Sequence, residues 1–177
     1  MFLIDKKISE MGSSLLKPFD EESVTNIGYD LKTESFFLDA NRPRTEVDLA
    51  PGDTVFVRAV ETITLPDDMA AQVQLKNSRI RQGLSLEAPI YQPGHHTKVF
   101  FRVTNVTKQM MHLDIQKGIA YLVFIPLGES AAKPYNGTFQ NEKAFVGMGA
   151  YQATLADDVT DIEKKVDAVK NIEKNVW

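Results

Sequence analysis

Apolar residues over most of this chain come in short runs or alternate with polar ones. "SFFLDA", "DTVFVRAVETITL", "MAAQVQL", "TKVFFRVTNV", "MMHLDI" and "IAYLVFIPL" are rich in Val, Ile, Phe, Tyr and Thr, which suit a pleated, half-buried surface. Turn signals separate them: Pro51-Gly52-Asp53, Pro66-Asp67-Asp68, Pro93-Gly94 and Lys117-Gly118. From residue 24 to about residue 127 the spacing predicts an all-β sandwich or barrel. "LAPGDTVFV" and "LDIQKGIAYLVF" share an apolar lead-in, a Gly turn and a buried strand, as two related hairpins would.

Both ends read differently. Ile8, Met11, Leu15 and Leu16 fit a short amphipathic helix over about residues 5–17, with Asp5 as its cap and Pro18 as its stop. Residues 128–152 hold four of the ten glycines and few apolar side chains, a lid-like composition. Beyond them Leu155, Val159, Ile162, Val166 and Val169 form a stripe at alternating spacings of four and three, continued by Ile172 and Val176. Thr154 and Asp157 resemble a capping box. A helix of about 22 residues, roughly 33 Å long, is predicted there. The division is a β domain over 1–152 and a C-terminal amphipathic helix over 153–177.

Composition narrows the function. Apolar residues make up 43% of the 177 and charged residues 25%, which suits one globular domain. The net charge of −4 gives no bulk attraction to nucleic acid. There is no cysteine, so thiolate metal sites and cysteine nucleophiles are excluded. No apolar run nears the roughly 20 residues that span a bilayer, and "MFLIDKKISEMG" lacks the apolar core of a signal peptide. The expectation is a cytoplasmic protein with no membrane partner.

One stretch concentrates charge. Lys76-Asn77-Ser78-Arg79-Ile80-Arg81 offers backbone N–H groups, a hydroxyl and guanidinium forks. Such donors suit the oxygens of a triphosphate. Taken alone, a solvated basic turn is the plainer reading.

The order of the pieces resembles the dCTP deaminase/dUTPase family. "NIGYDLKTESFFL" (26–38) is similar to its first motif, and "LAPGDTVFVRAVETITLPDDMAAQVQLKNSRIRQGL" (49–84) to its long central stretch. "IYQPGHHTKVFFRVTN" (90–105) sits where the family has its base-facing hairpin. "IQKGIAYLVFIPL" (115–127) and "KPYNGTFQNEKAF" (133–145) follow in register. The resemblance implies a mainly β, dUTPase-like fold of the β-clip type. It implies a dCTP or dUTP ligand, with Mg²⁺ arriving on the triphosphate, and a homotrimer whose sites are shared between chains. Lys76, Ser78 and Arg81 fall on the phosphate-binding positions, Asn77 where a second Ser is usual. Gln92, Arg102 and Gln140 are the remaining nucleotide-facing candidates.

The same register removes the expected catalysts. Deamination needs a carboxylate beside C4 to activate water. The family's Glu, three residues before Asn105, is Arg102 here, and a guanidinium is never a base. The Asp of the family's hydrolases becomes Gln92. Two substitutes remain: Glu87 under a shifted register, and His95, which would titrate near neutrality. His95 and His96 are adjacent on a strand, so they point to opposite faces. Glu61, Asp67 and Asp68 read as a turn and its neighbour rather than a metal site, and the lone His112 gives no zinc spacing. Two functions stay open: a nucleotide enzyme with an unusual catalytic set, and a non-catalytic relative acting in regulation or assembly. The C-terminal stripe has a matching pair of outcomes, a trimer seam or packing on its own domain. β-Branched seams disfavour parallel dimers.

Overall fold

A computed structural model describes residues 1–38, 42–144 and 169–172. In chain order the elements are α1 (Asp5–Met11), β1 (Leu16–Lys17), β2 (Val24–Thr25), β3 (Gly28–Asp30), β4 (Thr33–Phe37), β5 (Pro43–Arg44) and β6 (Glu46–Leu49). Then come β7 (Thr54–Thr64), β8 (Met69–Leu75), α2 (Asn77–Gln82), β9 (Leu84–Glu87) and β10 (Ile90–Tyr91). β11 (His96–Asn105), β12 (Met111–Asp114) and β13 (Ala120–Pro126) complete the order.

The strands form two open sheets facing one another, so the fold is a sandwich and not a closed barrel. One sheet has the order β5-β4-β7-β11-β9, with β1 also on β7; the other runs β10-β8-β13-β3-β2. Alternation along the longest strands explains the layering. In β11, Val99, Phe101 and Val103 face inward, while Lys98, Arg102 and Thr104 are half-buried on the outer side. Leu122 and Phe124 of β13, Val55 and Val57 of β7, and Tyr29 of β3 fill the space between the sheets with under 1% exposure. Burying each such large apolar side chain is worth about 1.5–3 kcal/mol.

The two similar sequence segments are not hairpins. Their short lead-in strands, β6 and β12, pair with each other, Leu49 opposite Met111 and Val47 opposite Leu113. The long strands that follow, β7 and β13, lie inside different sheets. Each turn between lead-in and long strand has its own lock. At Pro51-Gly52, the buried Asp53 carboxylate accepts the Ala50 N–H at 2.9 Å.

The N-terminal helix is shorter than its pattern predicts. Asp5 lies inside it and accepts from the adjacent Lys6 N–H at 2.8 Å; Ile4 is the flanking residue and contributes no side-chain cap. Gly12, at φ +46°, ends the helix well before Pro18. Ile8, Leu15 and Leu16 still reach the core, the last two beyond the helix. Of the predicted C-terminal helix, only residues 169–172 are described; they are helical, with Val169 and Ile172 exposed. The remainder, and the boundary at 152/153, lie outside the described residues. No helix among the described residues is long and apolar enough to cross a membrane.

Candidate functional site

The chain changes sheets at Ala88-Pro89, leaving one sheet with β9 and joining the other with β10. Proline cannot donate to a ladder, which suits a corner. Beyond that corner β11 has lost its β9 neighbour. At Phe100 a side chain takes the missing place: the buried Tyr91 hydroxyl accepts the Phe100 N–H at 2.9 Å and donates to the Phe100 carbonyl at 3.0 Å. Burial pushes the Tyr91 phenol well above its ordinary range, so it stays protonated and able to donate.

This gap holds a cavity of about 710 Å³. Phe56, Phe100, Ile90 and Phe139 supply apolar wall; Glu87, Gln92 and Arg102 supply polar groups. Arg102 and Glu87 stand directly opposite in register, with Nη2 and Oε2 3.1 Å apart. The sequence candidates Glu87, Gln92, His95 and Arg102 thus share one cavity.

His95 has a structural engagement there. Its side chain is buried, stacked on Tyr135 with centroids 4.0 Å apart, and its Nε2–H donates to the Phe139 carbonyl at 2.9 Å. Burial lowers its pKa from the ordinary value, against the raising effect of that hydrogen bond, so the ring is neutral near pH 7. His96 is exposed on the opposite side and meets Thr64 Oγ1 through Nδ1 at 2.7 Å.

The segment expected to behave as a lid is, over its described part to residue 144, a strap docked on the hairpin. Gln140 fastens it. Its Nε2 donates to the carbonyls of Gly94 at 3.0 Å and Tyr135 at 3.2 Å, and its Oε1 accepts the His96 N–H at 2.7 Å. The nucleotide role expected of Gln140 therefore meets an amide whose two ends both bind the strap to the hairpin.

The basic stretch is a helix rather than a loop. Lys76 is extended; α2 follows and ends at Gly83, whose φ of +104° only glycine adopts readily. A Cβ there would also sit 2.0 Å from Thr107 Cγ2. Its cations divide the work. Arg79 turns inward, 7% exposed, and donates to the carbonyls of Lys117 and Gly118, both at 3.2 Å, and to Gln82 Oε1 at 2.9 Å. Lys76 pairs with Asp30 at 3.2 Å. Asn77, Ser78 and Arg81 are exposed. Ser78, Arg81, Lys117 and His112 line a second cavity of about 540 Å³. The hydrogen bond to Asp48 raises the pKa of His112, which lies within 4 Å of Asp114 and Glu46 as well.

No residue lines both cavities. Within one chain, Ser78 and Arg81 are therefore not brought together with Gln92 and Arg102.

Four polar residues of the motifs are structural. Asn105 is fully buried and uses its whole amide: Nδ2 donates to Leu49 and Gln109 carbonyls, and Oδ1 accepts from the Thr107 N–H and hydroxyl. Glu61, 1% exposed, accepts the Lys32 N–H on both oxygens at 2.9 and 3.2 Å. Burial pushes its carboxyl up to about 7. Asp67 and Asp68 form the exposed Pro66 turn, and among the described residues no group of three acids or histidines suits a metal ion.

An open sandwich of this topology is dUTPase-like. It superposes on the 2'-deoxycytidine 5'-triphosphate deaminase of Agrobacterium tumefaciens with a TM-score of 0.60 at 17% identity, covering 70% of this chain and 46% of that one. The EIAV dUTPase gives 0.50 at 20% identity, covering 72% and 94%. The family model described as dCTP deaminase-like matches residues 36–127. The dCTP deaminase of Pyrococcus abyssi is 27% identical over 152 residues, 82% of this chain and 97% of that protein. That of Thermococcus kodakarensis is 30% identical over 149 residues, covering 81% and 94%. A dUMP-forming dCTP deaminase of Beutenbergia cavernae is 32% identical over 162 residues, covering 76% and 84%. The chain belongs to the dCTP deaminase-like family.

Proposed function

We propose that this protein binds a pyrimidine deoxynucleoside triphosphate, dCTP or dUTP, without deaminating it. One observation carries the reading: Arg102, which the family resemblance sets at the position of the deaminases' carboxylate, lines the cavity ion-paired to Glu87. Arginine keeps its proton at any working pH. Gln92 has no useful basicity, and the Nε2 of His95 is committed to the strap. The aromatic wall suits a planar base.

The phosphates belong to Ser78 and Arg81, with Lys117 beside them. Because these residues share no cavity with Arg102 in one chain, the base half and the phosphate half come from neighbouring subunits of a homotrimer. Mg²⁺ would enter on the triphosphate, neutralising its charge; the described residues build no three-ligand cage for it. The test is calorimetric titration with dCTP and dUTP, then incubation of each with Mg²⁺ and chromatography. Binding without formation of dUTP, dUMP or pyrophosphate is expected. Turnover would overturn the non-catalytic assignment, and absence of binding at millimolar ligand would overturn the whole reading.

A further inference from the structure

We infer that Arg102 makes the cavity selective for a base whose buried edge accepts hydrogen bonds, the keto edge of uracil or thymine, over the amino edge of cytosine. The inference rests on the cavity being the base half of the nucleotide site. A guanidinium carries five N–H donors and no acceptor. It can meet a carbonyl oxygen such as O4 of uracil or thymine, and it can only repel or leave unpaired the N4 amino group of cytosine. Unpaired buried donors are costly, so discrimination follows from mismatch as much as from attraction.

Glu87, Gln92 and Glu142 bring acceptors to the same lining; Glu87 is the one beside Arg102, and a carboxylate accepts from the cytosine amino group. Its position argues against that role. The Arg102 side chain is 32% exposed and Glu87 67%, so the arginine is the better shielded of the two. Glu87 is also engaged by Arg102 at 3.1 Å. A cytosine amino group would have to share a carboxylate that already faces a cation. The walls are apolar: Phe56 stands opposite Arg102 across β11 and β7, with Phe100 and Ile90 beside it. A charge-assisted hydrogen bond in such surroundings outweighs one in water.

The test is calorimetric titration of the full-length protein in EDTA with dUTP, dTTP, dCTP and inorganic tripolyphosphate. Wild type, Arg102→Gln and Glu87→Gln are compared, each checked for a native circular-dichroism spectrum. Wild type should bind dUTP and dTTP roughly tenfold or more tighter than dCTP. Arg102→Gln, whose amide both donates and accepts, should bring the ratio to within about twofold, and Glu87→Gln should keep it. Equal or tighter dCTP binding by wild type, or an unchanged ratio in Arg102→Gln, overturns the inference while leaving nucleotide binding intact. If tripolyphosphate binds as tightly as every nucleotide, the cavity is not a base pocket. If nothing binds, the nucleotide reading itself falls.

Discussion

Arg102 and Glu87 face each other across β11 and β9, guanidinium to carboxylate, in the lining of a cavity rich in aromatic rings. The pair couples an always-charged donor to the one acid that a shifted register offered as a base. Its energetic weight is small, because Glu87 is two-thirds exposed and water screens the attraction. Glu87→Gln should therefore change stability by no more than about 1 kcal/mol, read as urea midpoints. It should also leave dCTP unconverted, as in the wild type; loss of a real deaminase activity on this substitution would make Glu87 the base.

Arg79 and Arg81 lie two residues apart on α2 and should separate stability from binding. Arg79→Ala orphans the carbonyls of Lys117 and Gly118, at a cost of about 1–3 kcal/mol. Arg81→Ala removes only an exposed fork; its melting temperature should stay put while triphosphate affinity drops by about 1.5–3 kcal/mol, roughly 10- to 150-fold. Paired thermal melts and calorimetry on both variants decide this.

Glu61 makes stability fall with rising pH over a defined window. Its carboxyl titrates near 7 in the folded chain, against an ordinary 4.5. Between those values the native state keeps a proton that the unfolded state has lost, so unfolding becomes easier as pH rises, and the effect levels off above 7. The span is on the order of 3 kcal/mol at full shift. In Glu61→Gln the amide oxygen still accepts the Lys32 N–H, and this part of the slope should vanish. Denaturant unfolding from pH 4.5 to 8 would show a parallel pair of curves if burial of this carboxyl has no such consequence.

Assembly is testable by mass. Light scattering at tens of micromolar should give three times the chain mass. Val169 and Ile172 are exposed in the helical residues 169–172. Deleting residues 154–177 should weaken the trimer. An unchanged trimer would assign assembly to the sandwich, and a monomeric full-length chain would remove the shared site.

The sandwich was legible in the sequence because its long strands carry their own period. "MAAQVQL" coincides with β8, and the runs of β7, β11, β12 and β13 are each within a few residues of the strands they form. The short strands β1, β2, β5 and β10, two residues each, were not: pairing partners define them, and no period fits in two residues. The site was half legible. The family resemblance pointed to Arg102 and Gln92, and a shifted register to Glu87, but the opposition of Arg102 and Glu87 depends on register between β9 and β11. Arg79 read as one more surface cation of a basic loop. Its inward turn depends on the Lys117-Gly118 carbonyls, 38 and 39 residues away. Likewise Gln140 is not marked as a fastener by its neighbours in sequence; the partners that tie the strap down, Gly94 and His96, lie in the distant hairpin.

The Tyr91 hydroxyl that stands in for a strand beside Phe100 gives the molecule a built-in gauge. Most amides in this sheet are guarded by a neighbouring backbone and exchange with solvent deuterium only when strands separate. The Phe100 amide donates to a side chain that lines the cavity. Its exchange rate therefore responds to the position of a phenol ring as well as to the opening of the sheet. A ligand that wedges the Tyr91 ring in place slows exchange at this amide more than at Phe101 or Val103. Occupancy can then be followed at a single backbone position, with no label on the ligand.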